Sequence, residues 1–468
     1  MGLFVVLALL VGSAAAQPAG LLPPGGRPAQ KRQDGAVADS AATMKGQGGA
    51  GINLSLWRGL STQPHDDRGS TWLNLGVQST MHRLTGLGVN VLGDVVRTDA
   101  DGVQVSSLFH SVKGRTRGIQ LAGLVGVYSH NTAGVSVAGL AVIAKGGMKG
   151  VTMGGLLTVG GDEGAGLTGA GLINITGDRS LGLQLSGMAN VAADGWRGMQ
   201  LAGLSNVASG ALRGWQLSGL ANIVGDTLRG AQVSALLNVA GMDATGLQVG
   251  AVNVVGMDAT GLQAGVVNLA NDSLRGAQVG VVNLATGADG LQAGVVNLAQ
   301  EASGLQLGVV NRYTKALRGL QLGLVNLSPH TRLQLLAFSG NLSKANLGLR
   351  IKNHSLYTLL GLGSHYLDTS HKPSLAFFYR AGALWPIYKG VSAGADLGYQ
   401  HVETLHNRHH GLPARLYALQ GRVNVECQVT SALGVFVSAG YGTTRYYDRD
   451  RTYDRGMILE GGIVVLRY

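Results

Sequence analysis

Five residues near the C-terminus carry side chains that bind metals. In "HVETLHNRHH" (401–410), His401, Glu403, His406, His409 and His410 offer four imidazoles and one carboxylate within ten residues. Such donors suit a borderline cation such as zinc. Their spacing reproduces no compact zinc motif, and a loop between strands is free to be rich in histidine. The expectation is therefore a solvated loop, with no metal site assigned. Cys427 is the single cysteine, so neither a disulfide nor a thiolate pair is available within the chain. Asp243 and Asp258 recur in consecutive "GMDATG" segments, where stacked carboxylates could hold a cation, but ordinary turn aspartates explain them more simply. We find no nucleophile beside a base, no phosphate loop and no carboxylate cluster, so neither catalysis nor a cofactor is expected.

The elements around these residues are set by a repeat. "GLQAGVVNLANDSLRGAQVGVVNLATGADGLQAGVVNLA" (261–299) states one phrase three times. A glycine recurs every 16 residues from Gly86 to Gly246, then at spacings of 14 or 15 through Gly261, Gly276, Gly290 and Gly304 to Gly319. Two residues after it stands a glutamine column that includes Gln184, Gln200, Gln216 and Gln232. A third column holds Asn190, Asn206, Asn222 and Asn238 and continues to Asn326. A short fixed period is the mark of a repeat architecture. Leu, Val and Ile dominate each copy, and clusters such as "NDSLRG" supply polar turns, which is β character. No proline occurs between Pro64 and Pro329, as suits a region whose backbone N–H groups all enter ladders. Two to four glycines per copy exclude a helix.

A unit of this length fits one coil of a parallel β-solenoid, or one strand and turn of a large up-and-down barrel. Three observations favour the solenoid. The repeats do not alternate short and long connections, as barrel strands do. They contain few aromatics for interfacial girdles. After Gly246 the copies lose one residue, "LQLSGLANV" becoming "LQAGVVNL"; in a continuous strand this would flip every later side chain, whereas at a coil corner it only tightens the bend. In this reading glycines serve corners or positive φ, apolar positions fill a narrow core, and the Gln and Asn columns stack as amide ladders. About sixteen coils at ~4.8 Å give a rod roughly 75 Å long. Ser136, Val142, Thr152 and Thr158 interrupt the ladder columns and put their continuity there in doubt.

The ends differ. "MGLFVVLALLVGSAAAQ" combines an apolar run with a small-residue cleavage site, so residues 1–16 read as a signal peptide. Residues 17–48 read as a flexible linker, and 49–85 as strands that cap the solenoid or join the barrel. The repeat then runs over 86–330. From 331 to 468 the chain changes character and holds eleven of the thirteen tyrosines. Eight strands are expected there, near 331–341, 344–351, 354–363, 374–385, 389–401, 415–428, 432–443 and 457–468. Their later connections alternate long and short, aromatics gather at strand ends, and the chain closes on "GGIVVLRY", as in outer-membrane barrels. The fold class is thus all-β, a parallel solenoid followed by an antiparallel barrel of outer-membrane type, with one large up-and-down barrel as the alternative.

On "GLQVGAVNV" (246–254), "GLQAGVVNL" (261–269), "GLQLGVVN" (304–311) and "GLQLGLVNL" (319–327) the chain resembles a family of bacterial surface-repeat proteins of spirochaetes and Bacteroidetes. "FFYRAGALWPIYKGVSAGADLGYQHVET" and "ARLYALQGRVNVE" are similar to the barrel-like tails of its Bacteroidetes members. The resemblance implies an envelope location and carries over no functional residues. Charged residues make up only 13% of the chain, and the net charge is +11. On an exported protein that excess would meet lipopolysaccharide or polysaccharide before nucleic acid. The function expected is a non-catalytic, outer-membrane-anchored envelope protein of a Gram-negative bacterium with structural or glycan-binding work; a transport pore is the alternative. Its expected partners are outer-membrane lipid, then polysaccharide, lipopolysaccharide or an envelope protein.

Overall fold

The computed structural model describes residues 51–57, 60–63, 69–366, 374–404, 415–448 and 450–466. The expected signal peptide and linker lie outside the described residues. The rest is a parallel β-solenoid of about 16 turns followed by a closed eight-stranded antiparallel barrel.

Each coil has two arms. A long arm of seven residues such as Trp196–Ala202 is followed by a bend, then a short arm of four such as Ser205–Ala208, then a polar turn. Every arm pairs in parallel with its copy one period later, Gly182 with Gly198 and Asn190 with Asn206. Long arms therefore stack into one sheet and short arms into another. The residue lost after Gly246 comes out at the bend. Val233 and Val249 pair, as do Leu237 and Val252, with three residues between them in one coil and two in the next. A second loss falls in the polar turn, between the pairs Ala270–Ala285 and Ser273–Gly287. Both sheets keep their register because each deletion falls where no ladder runs.

One expectation is met and another needs correction. The column glycines serve positive φ rather than corners. Gly198 is the third residue of its long arm, with φ of +119°, a conformation that only glycine adopts freely. Glycines also occupy the bends, as at Gly187 and Gly203, but these are a separate column. The apolar positions, however, fill only part of the core. Gln184 and Asn190 are fully buried, while Leu183, Leu185 and Val191 beside them are only partly covered. The interior is amide in its middle and apolar only beside the turn, where Ala192, Trp196, Ala208 and Leu212 pack in one continuous cluster. The alternation of the strand forces this choice. With the amides inside, neighbouring residues must point out.

The N-terminal strands belong to the solenoid. Ile52–Trp57 pairs in parallel with Ser70–Met81, which pairs in parallel with Arg83–Val96. The barrel comprises Arg332–Gly340, Ser343–Asn353, Leu356–Tyr366, Ser374–Tyr388, Val391–Thr404, Arg415–Gln428, Leu433–Tyr446 and Thr452–Leu466. It closes where the first of these strands pairs with the last. All eight expected strands are present, and the large-barrel alternative is excluded by the parallel coils.

A methyl group on Gly214 would sit 1.9 Å from the carbonyl oxygen of Gly198, at φ of +137°. Gly214→Ala should therefore cost more than about 3 kcal/mol in a denaturation series. Gly456→Ala, where a methyl group would meet nothing within 4 Å, should stay within about 0.5 kcal/mol.

Candidate functional site

The histidine-rich segment is only partly brought together. His401 Nε2 lies 3.3 Å from Glu403, and its Nδ1 lies 2.9 Å from the Tyr447 hydroxyl. Arg415 donates to the other oxygen of Glu403 at 3.3 Å. Burial pushes the Tyr447 phenol up to about 12. His406, His409 and His410 lie outside the described residues. Among the described residues no group of three or more His, Cys, Asp or Glu side chains is placed to hold a metal.

Asp243 and Asp258 tie successive turns together. The Asp258 N–H donates to Asp243 at 3.3 Å; the Ser273 hydroxyl and N–H donate to Asp258 at 2.5 and 3.1 Å. The Ser273 hydroxyl, then its N–H, holds the Asp258 carboxyl below the usual carboxylate range.

The ladders are the largest polar feature of the rod. Each glutamine from Gln200 to Gln321 donates to the glutamine one coil earlier, at 2.5 to 2.9 Å. Each asparagine from Asn190 to Asn311 donates to the asparagine one coil later, at 2.8 to 3.1 Å. Asparagine amides spend their second hydrogen on a backbone carbonyl, as Asn206 does on Leu217 at 2.7 Å. The two columns run in opposite directions, so their amide dipoles oppose. At the far end Asn353 of the barrel donates to Gln321 at 3.2 Å, and the ladder ends on the second domain.

The columns are interrupted where the sequence departs from the pattern. Thr152, Thr158 and Val142 occupy ladder positions, and Tyr128 and Met148 fill the core there. Gln120 is buried with neither its amide nitrogen nor its oxygen bonded. Further toward the N-terminus the structure assembles a group that the sequence reading missed. His110 Nδ1 lies 2.6 Å from Asp94 and 3.0 Å from the Ser106 hydroxyl, and Nε2 lies 2.8 Å from the Leu121 carbonyl. The Asp94 carboxylate and the Leu121 carbonyl occupy the two ring nitrogens, the Ser106 hydroxyl lies 3.0 and 3.3 Å from them and donates to the Phe109 carbonyl at 2.9 Å, and Asp94 and His110 are fully buried. A hydrolytic triad places nucleophile and orienting acid on opposite nitrogens of an accessible ring; this ring is sealed and the Ser106 hydroxyl is spent on backbone, so the group is core structure. Its signal was present: Asp94 and His110 stand one 16-residue period apart in the column that later carries asparagine.

The barrel lumen was also missed. Arg380 forms two hydrogen bonds to Glu460, at 2.7 and 2.9 Å, and sits over the rings of Phe338 and Phe378. Arg422 pairs with Asp396 at 3.1 Å, and Arg350 with Glu426 at 2.7 Å. Tyr357 and Asn424 donate to the second Asp396 oxygen at 2.8 and 2.7 Å. Three cations thus meet three carboxylates inside the barrel. Outside, Leu335, Leu347, Leu397, Val423, Val437 and Leu459 are exposed. The alternation in "RVNVE" and "ILEGG" carries the signal, each inward polar residue flanked by outward apolar ones.

Against models of protein families, curated proteins and solved structures, the chain shows no match.

Gln216→Leu should cost roughly 2–5 kcal/mol in a denaturation series, since it leaves the neighbouring amides Gln200 and Gln232 without their partner. Gln120→Leu, which removes no hydrogen bond, should be neutral or stabilising; equal costs would show that the ladder adds nothing. The turn contribution of Asp258 should be complete above pH ~4, the unfolded carboxyl's range, and vanish as pH falls through its lower folded value. The stability gap between the protein and Asp258→Asn, measured by denaturation across pH, should close in that acid window.

Proposed function

We propose that this chain is a non-catalytic cell-envelope protein, exported and anchored in the outer membrane by its barrel, whose rod does structural or binding work beside that membrane. The apolar outer wall of the barrel carries this reading: its outward side chains are mostly aliphatic and aromatic, while three ion pairs are buried inside beside a cluster of Leu336, Phe338, Phe378 and Phe436. Water does not leave so large an apolar surface bare, whereas lipid demands one. Strands of 14 and 15 residues exceed the ~9–11 needed to cross a bilayer. Exposed Trp385, Tyr388 and Tyr441 suit its interfaces. The signal-peptide-like start and the likeness to GLQxGLVN surface repeats support an envelope location.

The lumen argues for an anchor over a conduit, because Arg350, Arg380 and Arg422 with their carboxylates fill it. Three short turns, at 354–355, 389–390 and 429–432, share one rim, while 341–342 lies on the other with the long connections; the rod meets the barrel at the first rim through Asn353 and Gln321. Outer-membrane barrels turn their short connections to the periplasm, which favours a periplasmic rod. Its exposed faces are aliphatic, so lipid is a better partner than polysaccharide.

Val437 lies mid-strand and is 64% exposed. Val437→Arg should destabilise the vesicle-reconstituted protein by about 2–4 kcal/mol, read from urea-induced unfolding. On a water-facing barrel the same change should stay within about 0.5 kcal/mol. A neutral effect in a chain that remains monodisperse without detergent would overturn the anchoring.

A further inference from the structure

The charges of the rod are confined to one edge. From Arg83 to Arg318, every charged residue except Asp94 and Arg312 falls within the five residues before a column glycine. Those positions form the turn between a short arm and the next long arm, together with the first residues of that arm. Asp94 is buried, so between Arg83 and Arg318 the only charge exposed away from that edge is Arg312.

The other sides of each coil are apolar. The long-arm face presents Leu185, Leu201, Leu217 and Val233, and the short-arm face presents Val191, Val207 and Ile223. The bend opposite the charged edge presents Leu204, 39% exposed, and Leu236, 54% exposed. A strip roughly 75 Å long and 20 Å wide, some 1,500 Å², far exceeds the few hundred Å² that a water-soluble monomer normally leaves bare.

We propose that the rod lies lengthwise in one leaflet of the membrane that holds the barrel, its charged edge among the headgroups and its bend toward the bilayer midplane. This rests on the barrel being membrane-embedded. Three features select a leaflet as the occupant. From Gln184 to Gln321 the interior amides satisfy one another through the ladders and the backbone pairs coil to coil, so the surface there is free to be apolar, the condition lipid imposes on backbone structure. The depth fits: a long arm of seven residues spans about 20 Å at ~3.3 Å per residue, close to half of a ~40–45 Å bilayer including headgroups. The surface is also continuous with that of the barrel. Leu322, last of the outward column of Leu185, shares a cavity of about 640 Å³ with Leu356 and outward-facing Ala381 of the barrel. Tyr379 closes the junction by donating to the Gly323 carbonyl at 3.3 Å. The leaflet is the one beside the short-turn rim. Amphipathic helices bind interfaces through the same division of charged and apolar sides.

Spin labels on the full chain test this. In a Cys427→Ser background, Leu204→Cys reports the bend, Arg213→Cys the charged edge and Val437→Cys the barrel wall. The protein is reconstituted into phosphatidylethanolamine–phosphatidylglycerol vesicles, and label collisions with oxygen and with a water-soluble nickel chelate are compared. The oxygen-to-nickel ratio should be several-fold higher at 204 and 437 than at 213. A lipid-exposed label at 437 with nickel-exposed labels at both 204 and 213 would place the rod in water and overturn the proposal while sparing the barrel anchor. A label at 204 shielded from both reagents would show a protein cover, such as a second copy, and also overturn it. A nickel-exposed label at 437 would remove the anchor itself.

Discussion

The rod depends on one interaction, the hydrogen bond from a buried amide to the same amide one coil away. An isolated Gln or Asn inside a protein is costly because its donors and acceptor lose water. Stacked at the strand spacing, each amide meets its copy above and below, and the cost falls to the ends of the column. Gln184 to Gln321 and Asn190 to Asn326 form two such columns. They explain why the period is kept so strictly. A copy out of register would orphan its own amide and those of both neighbours. They also explain the polarity of the coil, since side chains alternate along an arm and amides that point inward turn the leucines and valines outward.

Where the columns stop, other groups take over. Toward the N-terminus Tyr128 and Met148 replace amides with bulk, and beyond them the buried Asp94 accepts from Asn90, Gln104 and His110 at 3.3, 2.9 and 2.6 Å. A buried carboxylate is tolerated only when so surrounded. Toward the C-terminus Asn353 receives the glutamine column, and the barrel continues the same plan at a larger bore. Amides one strand spacing apart cannot fill a lumen eight strands wide; long arginines reaching to Asp396, Glu426 and Glu460 can. Both domains thus bury polar groups beside apolar clusters and turn apolar side chains outward, and on the proposed reading a single lipid environment accounts for both.

Much of this was legible in the residues. The solenoid followed from the glycine beat, the absence of proline and a deletion that a continuous strand would not survive. The eight barrel strands followed from alternation and from aromatics at strand ends. The ladder residues were legible because a column that repeats at the strand spacing must stack on itself. What the columns face was not. The period reports that Gln184 and Leu185 recur, and alternation reports that they point opposite ways, but both statements hold equally for an apolar core with amides outside.

The sequence by itself therefore determined the periodicity, the architecture and the register, because these are properties of order along the chain. The tertiary structure alone decided which side of each arm is the interior. It also decided that Arg350, Arg380 and Arg422 find carboxylates 76, 80 and 26 residues away on other strands, Glu426, Glu460 and Asp396. Such partners are brought together only by barrel closure. Burial depends on what lies across the coil or lumen, and no local pattern encodes that distance.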